Sequence, residues 1–373
     1  MSRAPTVVVA LSGGVDSAVA ALLLRDSGLR VECLHMTNWE DDGHCEAADD
    51  LQFARRVARQ LDLPLHRVSF AADYAEQVFA DFLTELRAGR TPNPDVLCNR
   101  HIKFGSMLRY AERLGADQVA TGHYARLASV DGQRQLYKAA DPSKDQSYFL
   151  HAVGAAAFER VVFPIGAMTK NEVRRRARAA GLAPAEKKDS TGICFIGERH
   201  FPEFLARYLA PVPGPIQTPD GTVLGEHQGV AFYTLGQRHG LSIGGRRGFG
   251  TAPWFVAAKD IGTNTLTVVQ GATHPLLYQN WLAAEHVHWI NGIPAAWRPG
   301  GALRCRAKTR YRQPDQACEV LRTGPSSVEV RFEQPQRAVT PGQFVVFYQG
   351  ERCLGGGTIT TAAMRELTLE AAG

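Results

Sequence analysis

No stretch of this 373-residue chain approaches the ~20 consecutive apolar residues that a membrane span requires. The apolar opening from Val7 to Leu11, after Arg3, imitates the start of a secretory signal. Gly13, Gly14 and Asp16 interrupt it, however, and no small-residue cleavage site follows. Internal repeats and low-complexity tails are missing too. Cysteine is sparse: seven residues, odd in number and irregularly spaced, which excludes a small secreted disulfide scaffold and points to reduced thiols. Nor does one sign of charge dominate, with 42 basic against 37 acidic residues and a net charge of +5. The expectation is a cytoplasmic protein with no membrane partner. Its mild basicity permits an acidic partner such as RNA without establishing one.

What is present is an alternation. Val7–Ala10, Val31–Met36, Leu65–Phe70 and Gln118–Thr121 read as strands. Between them, helical spacing runs over Asp16–Asp26, Ala47–Leu61, Asp73–Ala88 and Ile102–Leu114. Strands separated by helices predict an α/β fold with a mainly parallel sheet covered on both faces, whose ligands sit beyond the carboxyl ends of the strands. Character changes near Ala210. "APVPGPIQTPDG" marks a linker, and short β-like segments with Gly and Pro turns follow. The chain is therefore divided into a nucleotide-binding catalytic domain over 1–205, a small central domain over 206–272 and a C-terminal β-barrel-like domain over 273–373.

The first strand ends in "SGGVDS", Ser12 to Ser17. Two glycines let a backbone approach a phosphate, successive N–H groups and a helix N-terminus point at the anion, and two serines add hydroxyls. A bare serine-capped turn is the alternative. The lysine that ends a phosphate-transferring P-loop is absent, so γ-phosphate transfer of that kind is not supported. Two thiols stand apart from the rest. Cys98 follows Asp95 by three residues in "TPNPDVLCNRHIKFG", and Cys194 sits in "DSTGICFIGERHF"; prolines and glycines place both on loops or element ends. Asp95 offers an acid or base, and Arg100, His101 and Lys103 would favour a thiolate at Cys98. Cys33, Cys305, Cys318 and Cys353 read as small buried hydrophobes. Cys45 and His44 lack further ligands at metal spacing, so no metal site is expected there.

"LSGGVDS" resembles the pyrophosphate loop of the ATP pyrophosphatases, which split ATP between the α and β phosphates and adenylate a substrate oxygen. With "MTNWE", "TPNPDVLCNRHIKFG", "ATGHYAR", "KDQSYFL", "STGICFIGER", "TLGQRHGL", "TRYRQ" and "PGQ", the whole chain resembles the bacterial tRNA-specific 2-thiouridylases. The resemblance implies adenylation of the C2 oxygen of the wobble uridine and its replacement by sulfur, with ATP split to AMP and pyrophosphate and Mg²⁺ offsetting the phosphate charge. It implies that Cys194 takes persulfide sulfur from a sulfur-relay protein or cysteine desulfurase. Cys98 would attack that persulfide, freeing sulfide or leaving a disulfide, and Asp95 would be the acid or base beside the base. Ala10, Leu11, Ser12, Gly13, Gly14, Val15, Asp16, Ser17, Met36 and Gly122 would line the ATP site, and Asn93, Pro94 and Asp95 would touch the target base. His123, Lys144, Asp145, Gln146, Arg310, Tyr311 and Gln343 would contact the anticodon region of tRNA. An iron–sulfur cluster on Asp95, Cys98 and Cys194 is the less favoured sulfur carrier.

"RCRAKTRYR" carries its own argument. Period-two alternation predicts Arg304, Arg306, Lys308, Arg310 and Arg312 on one strand face, a run of like charge that a phosphate backbone would neutralise. Thr169 is read as the N-cap of a second basic element, with Lys170, Arg174 and Arg178 along one side. His123, Tyr124 and Phe149 are read as stacking platforms for unstacked bases. Two rivals stand beside the thiolation reading: an amide-forming ATP pyrophosphatase, and a catalytically silent RNA-binding module.

Overall fold

In the computed structural model the described residues are 4–39, 45–188, 201–244, 248–295, 297–298 and 300–365. The first sheet contains β1 (Thr6–Ala10), β2 (Arg30–Thr37), β3 (Leu65–Ser69), β4 (Gln118–Ala120) and β7 (Val161–Val162) in the order β3-β2-β1-β4-β7. Every pairing in it is parallel. Its central strand reads as a continuous apolar run because both faces are covered. Val7, Val9 and Leu11 pack with the helices Val15–Asp26, Cys45–Leu61 and Lys170–Ala179. Val8 and Ala10 face the opposite core, with Tyr74, Phe82, Ile102 and Met107. The helix after β1 buries Ser17 to Leu22 without a break, and Ala18, Ala20 and Ala21 let it lie close on the sheet. β2 and β3 extend the sheet to one side of β1, and β4 returns to the other. The strand order therefore reverses between β1 and β4, which places a crevice at their carboxyl ends.

A β-hairpin leaves this domain, β5 (Arg126–Val130) and β6 (Gln133–Tyr137), turning at Asp131-Gly132 with positive φ at both residues. Four strands then form a separate sheet in the order β10-β11-β8-β9: β8 (Gly214–Gln217), β9 (Val223–His227), β10 (Trp254–Asp260) and β11 (Thr265–Gln270). Ile216, Leu224, Val256, Leu266 and Val268 form its core. The remaining strands are β12 (Tyr278–Trp289), β13 (Ala302–Lys308), β14 (Gln316–Arg322), β15 (Val328–Arg337), β16 (Phe344–Gln349) and β17 (Arg352–Ala363). They run β12-β15-β14-β13-β16-β17, and β12 also pairs with β17, so the sheet closes into a six-stranded barrel. Closure removes free edges at β12 and β17. The expected α/β sheet domain and C-terminal barrel are realised, and the small central domain is itself a β-sheet. No helix among the described residues is long and apolar enough to cross a membrane.

The hairpin joins the barrel through Tyr137 paired with Arg352. Beneath that joint lies a shared apolar cluster of Val96, Phe104, Leu136 and Tyr148 from the first domain with Phe344, Val346 and Tyr348 from the barrel. Charge ties the same junction. Asp315 receives Lys138 and, at 3.0 Å, Arg306. Burial alone would raise its pKa, but these two cations hold the carboxyl below its usual range. A depressed carboxylate stabilises the fold above the unfolded value of ~3.9, and that contribution is lost as pH falls through the folded value. Asp315→Asn is therefore expected to lower Tm at pH 7, with the gap to the native chain closing in thermal melts taken below about pH 4.

Candidate active site

The turn from Ser12 to Ser17 is held by its own hydroxyls. Ser12 N–H donates to Ser17 Oγ at 3.2 Å, Gly14 N–H donates to Ser12 Oγ at 3.3 Å, and Ser17 Oγ donates to Gly14 O at 3.1 Å. Gly13 has φ +89°, and a Cβ there would stand 2.2 Å from the Asp50 carbonyl oxygen, so only glycine fits. The N–H groups of Val15, Asp16 and Ser17 open a helix and have no partner within it, the arrangement that binds anions. Gly122, two residues past β4, closes the other side of the crevice. A Cβ on it would lie 2.6 Å from Ser17 N, so β4 and the loop touch through bare backbone.

The missing lysine arrives from elsewhere. Lys170 Nζ lies 2.8 Å from both carboxylate oxygens of Asp16, and Tyr124 Oη donates to Asp16 Oδ1 at 2.7 Å. Lys170 is 8% exposed and its ammonium sits 5.8 Å from the centre of the Tyr124 ring. Its helix is pinned at this end by a full capping box between Thr169 and Glu172, while Val173 and Ala177 bury the apolar stripe. Sequence reasoning named Thr169 as the cap, as found, and left the basic side of the helix open between plain exposure to solvent and an RNA-facing role. Instead Lys170 faces the loop, Arg174 donates to the carbonyls of Ala185 and Lys187, and Arg178 pairs with Glu186. Nothing local in the sequence signals this contact, because Lys170 and Asp16 lie 154 residues apart.

The thiol lies at the same edge of the sheet. Pro94–Leu97 forms one helical turn that runs without a break into a wide, π-helical stretch from Cys98 to Ser106. Such stretches are frequent at functional sites. Of the two placements expected, loop or element end, Cys98 takes the second, at the junction of two helical elements, and it is buried among Leu34, Ile102 and Met107. Asp95, one turn earlier, shares its face and is half-buried. Asn38, directly after β2, donates its amide to Cys98 Sγ at 3.9 Å. Since β1 and β2 are parallel neighbours, Asn38 and Cys98 stand at the same carboxyl edge as the loop. Met36 packs against the Cys98 core. His101 does not supply the expected charge, because burial and then Arg100 push its pKa down. Cys194 lies outside the described residues. Of its described flanks, Lys187 pairs with Asp50, whose carbonyl abuts Gly13, and Phe204 packs in the Cys98 core. Cys33, Cys318 and Cys353 are buried and Cys305 is half-buried, as small hydrophobes would be.

The basic strand differs from its expectation. β13 stops at Lys308, and Arg310 and Arg312 lie in the bend beyond it. Acids answer the cations one by one. Arg304 pairs with Glu319 directly across the ladder, Arg306 with Asp315, and the buried Lys308 with Asp145 at 3.1 Å. Asp145 also accepts from Ala139 N–H and from the Ser147 N–H and hydroxyl, so it organises the domain junction. Gln146 accepts from Tyr124 N–H, and Lys144 lies on the turn closed by the Asp141 carbonyl. Arg310 donates to Leu235 O, Tyr311 packs against Phe149 with ring centres 4.4 Å apart and the planes tilted by 44°, and Gln343 donates to Thr91 O. His123 is buried between Phe104 and Phe163, and burial together with Lys103 drives its pKa well down. Tyr124, buried and bonded to Asp16, supports the loop instead of offering a stacking face.

Comparison with known proteins places this arrangement among relatives. The tRNA methyl transferase HUP domain model matches residues 5–198, the tRNA methyl transferase PRC-barrel domain model residues 202–270 and the aminomethyltransferase beta-barrel domain model residues 279–359. The tRNA-specific 2-thiouridylase MnmA of Methylococcus capsulatus is 57% identical over 358 residues, covering 95% of this chain and 96% of that one. Its namesake in Marinobacter nauticus is 56% identical over 359 residues, covering 95% and 90%. Among solved structures, the U34-tRNA thiolase NcsA from Methanococcus maripaludis with its 4Fe-4S cluster overlaps 48% of this chain and 57% of its own, at 17% identity and a TM-score of 0.33.

Proposed function

Because this chain belongs to the tRNA-specific 2-thiouridylase family, we propose that it replaces the C2 oxygen of a tRNA wobble uridine with sulfur, splitting ATP to AMP and pyrophosphate. The observation that supports this most directly is the meeting of a lysine-completed anion loop and a carboxylate–thiol pair at one edge of one sheet. Uridine C2=O is amide-like, and its oxygen leaves poorly until it carries AMP. The uridine oxygen attacks the α-phosphorus, the bond to the β-phosphate oxygen breaks, and pyrophosphate departs into the loop. Backbone N–H groups at the helix start, with Ser12, Ser17 and the Asp16-held Lys170 beside them, stand where that charge develops. Mg²⁺ carried by ATP needs one or two protein carboxylates at most, and Asp16 fits that role. Asp95 accepts the proton that uridine N3 sheds as the C2 oxygen is adenylated.

Sulfur then enters. A persulfide on Cys194, supplied by a relay protein or desulfurase, attacks C2 through its outer sulfur, and AMP leaves. The Cys98 thiolate attacks the inner sulfur; the outer one stays on C2 with its electron pair, and a Cys98–Cys194 disulfide remains to be reduced. Although the domain descriptions name methyl transfer, an anion loop with a buried lysine supports nucleotide splitting. Mercury-gel mobility of unmodified tRNA, incubated with the protein, Mg-ATP and a sulfide source, tests the reading. A retarded band that requires ATP is expected. Bound tRNA with neither a band nor ATP cleavage overturns it.

A further inference from the structure

Three domains converge on the two residues that precede the target-base segment. Thr91 N–H donates to Pro341 O at 2.9 Å, and Gln343 Nε2 donates to Thr91 O at 2.7 Å and to Pro92 O at 3.4 Å. From the central domain, Thr234 Oγ1 donates to Thr91 Oγ1 at 3.1 Å. Arg310 then joins the two β-domains, donating to Leu235 O at 2.6 Å and to Thr340 Oγ1 at 3.1 Å. The contacts form a circuit: Thr91 to Gln343, through the backbone to Thr340, across Arg310 to Leu235, and through Thr234 back to Thr91. Gly342 presses the same point. Its φ is +90°, and a Cβ there would lie 2.8 Å from Thr91 N.

What this circuit holds is stiff. Pro92 and Pro94 fix φ on both sides of Asn93, so a shift at Thr91 passes to the helix that starts at Pro94. Asn93 makes no side-chain cap bond to that helix, so the clamp on Thr91 and Pro92, rather than a cap, seats its N-terminus. Asp95 and Cys98 ride on its first turns. We propose that Gln343 is a positioning residue for thiolation: it sets Asp95 and Cys98 by clamping Thr91 and Pro92, and so makes their placement depend on how the barrel and the central domain are seated. The proposal rests on the thiolation reading for its kinetic consequence.

The variants are Gln343→Ala, Gln343→Glu, which keeps the shape but turns an acceptor toward two carbonyls, and Gln343→Lys, which restores a donor. In Gln343→Ala, tRNA-dependent pyrophosphate release at saturating tRNA is expected to fall roughly 10- to 100-fold, the scale of an ångström-sized misplacement. The KM for ATP and the Kd for tRNA by filter binding should stay within about twofold. Gln343→Glu should behave like the alanine variant, and Gln343→Lys should recover part of the rate. In the tRNA-free protein, hydrogen exchange of the amides over 91–98 should quicken in the alanine variant. Weakened tRNA binding with an unchanged rate at saturation would make Gln343 an RNA contact and overturn the proposal. Unchanged exchange over 91–98 would overturn it as well. If the native chain splits no ATP with tRNA, the thiolation reading fails instead, and the exchange measurement still decides whether the clamp exists.

Discussion

Replacing Lys170 by Met is expected to lower tRNA-dependent pyrophosphate release by ~100- to 1,000-fold, the range seen when one preorganised donor to a developing anion is removed. The ammonium is the buried cation at the loop, and Asp16 holds it there through both carboxylate oxygens. Its helix cannot easily offer a substitute, since the neighbouring Arg174 and Arg178 are engaged elsewhere. Loss of Lys170 also leaves the Asp16 carboxylate with less positive charge, which disturbs the loop before any nucleotide arrives. The double variant Asp16→Asn, Lys170→Met separates the two effects. It removes both charges and should regain thermal stability without regaining the reaction. A release rate within threefold of native in Lys170→Met would show that the lysine only props Asp16.

Cys98→Ser is expected to divide the reaction in two. Thiolated tRNA on the mercury gel should fall by on the order of 1,000-fold or more, the scale for removing a reacting nucleophile. Pyrophosphate release with tRNA and ATP should persist within a few-fold. The thiol packs against Leu34, Ile102 and Met107 and takes the Asn38 amide, contacts that a hydroxyl of nearly the same size largely keeps. Adenylation draws on the loop, Lys170 and Asp95, none of which the substitution touches. Parallel loss of both activities would mean that Cys98 builds the nucleotide site, and full thiolation would remove it from the chemistry.

The strand–turn–helix of the loop was legible because its information is local: a doubly covered apolar run, then two glycines where backbone must approach backbone. The parallel sheet followed from the same alternation. Lys170 was not legible as part of the site, because it meets Asp16 across 154 residues of sequence and only the sheet order brings them together. The basic strand was only partly legible for a related reason. Alternation within β13 is real, but its counter-charges lie on the next strand, Glu319, just ahead of that strand, Asp315, and in another domain, Asp145. One-dimensional charge counting sees a run of cations where three dimensions give a ladder of pairs. Likewise, the prolines around Asp95 left a loop and an element end both open, and Pro94 settles it by starting a helix, as suits its first turn.

The apolar joint between the first domain and the barrel also constrains how the chain is made. Its halves come from residues 96–161 and 290–353, so synthesis separates them by well over a hundred residues. At roughly 5–20 residues per second, the first half emerges from the ribosome on the order of ten seconds or more before its partner strands exist. The barrel cannot form earlier, because β12 must wait for β17, the last strand, to close it. Long-range pairing of this kind is slow to nucleate. Leu136, Tyr148 and Leu150 therefore spend that interval without their barrel partners, as an exposed apolar face open to misassociation.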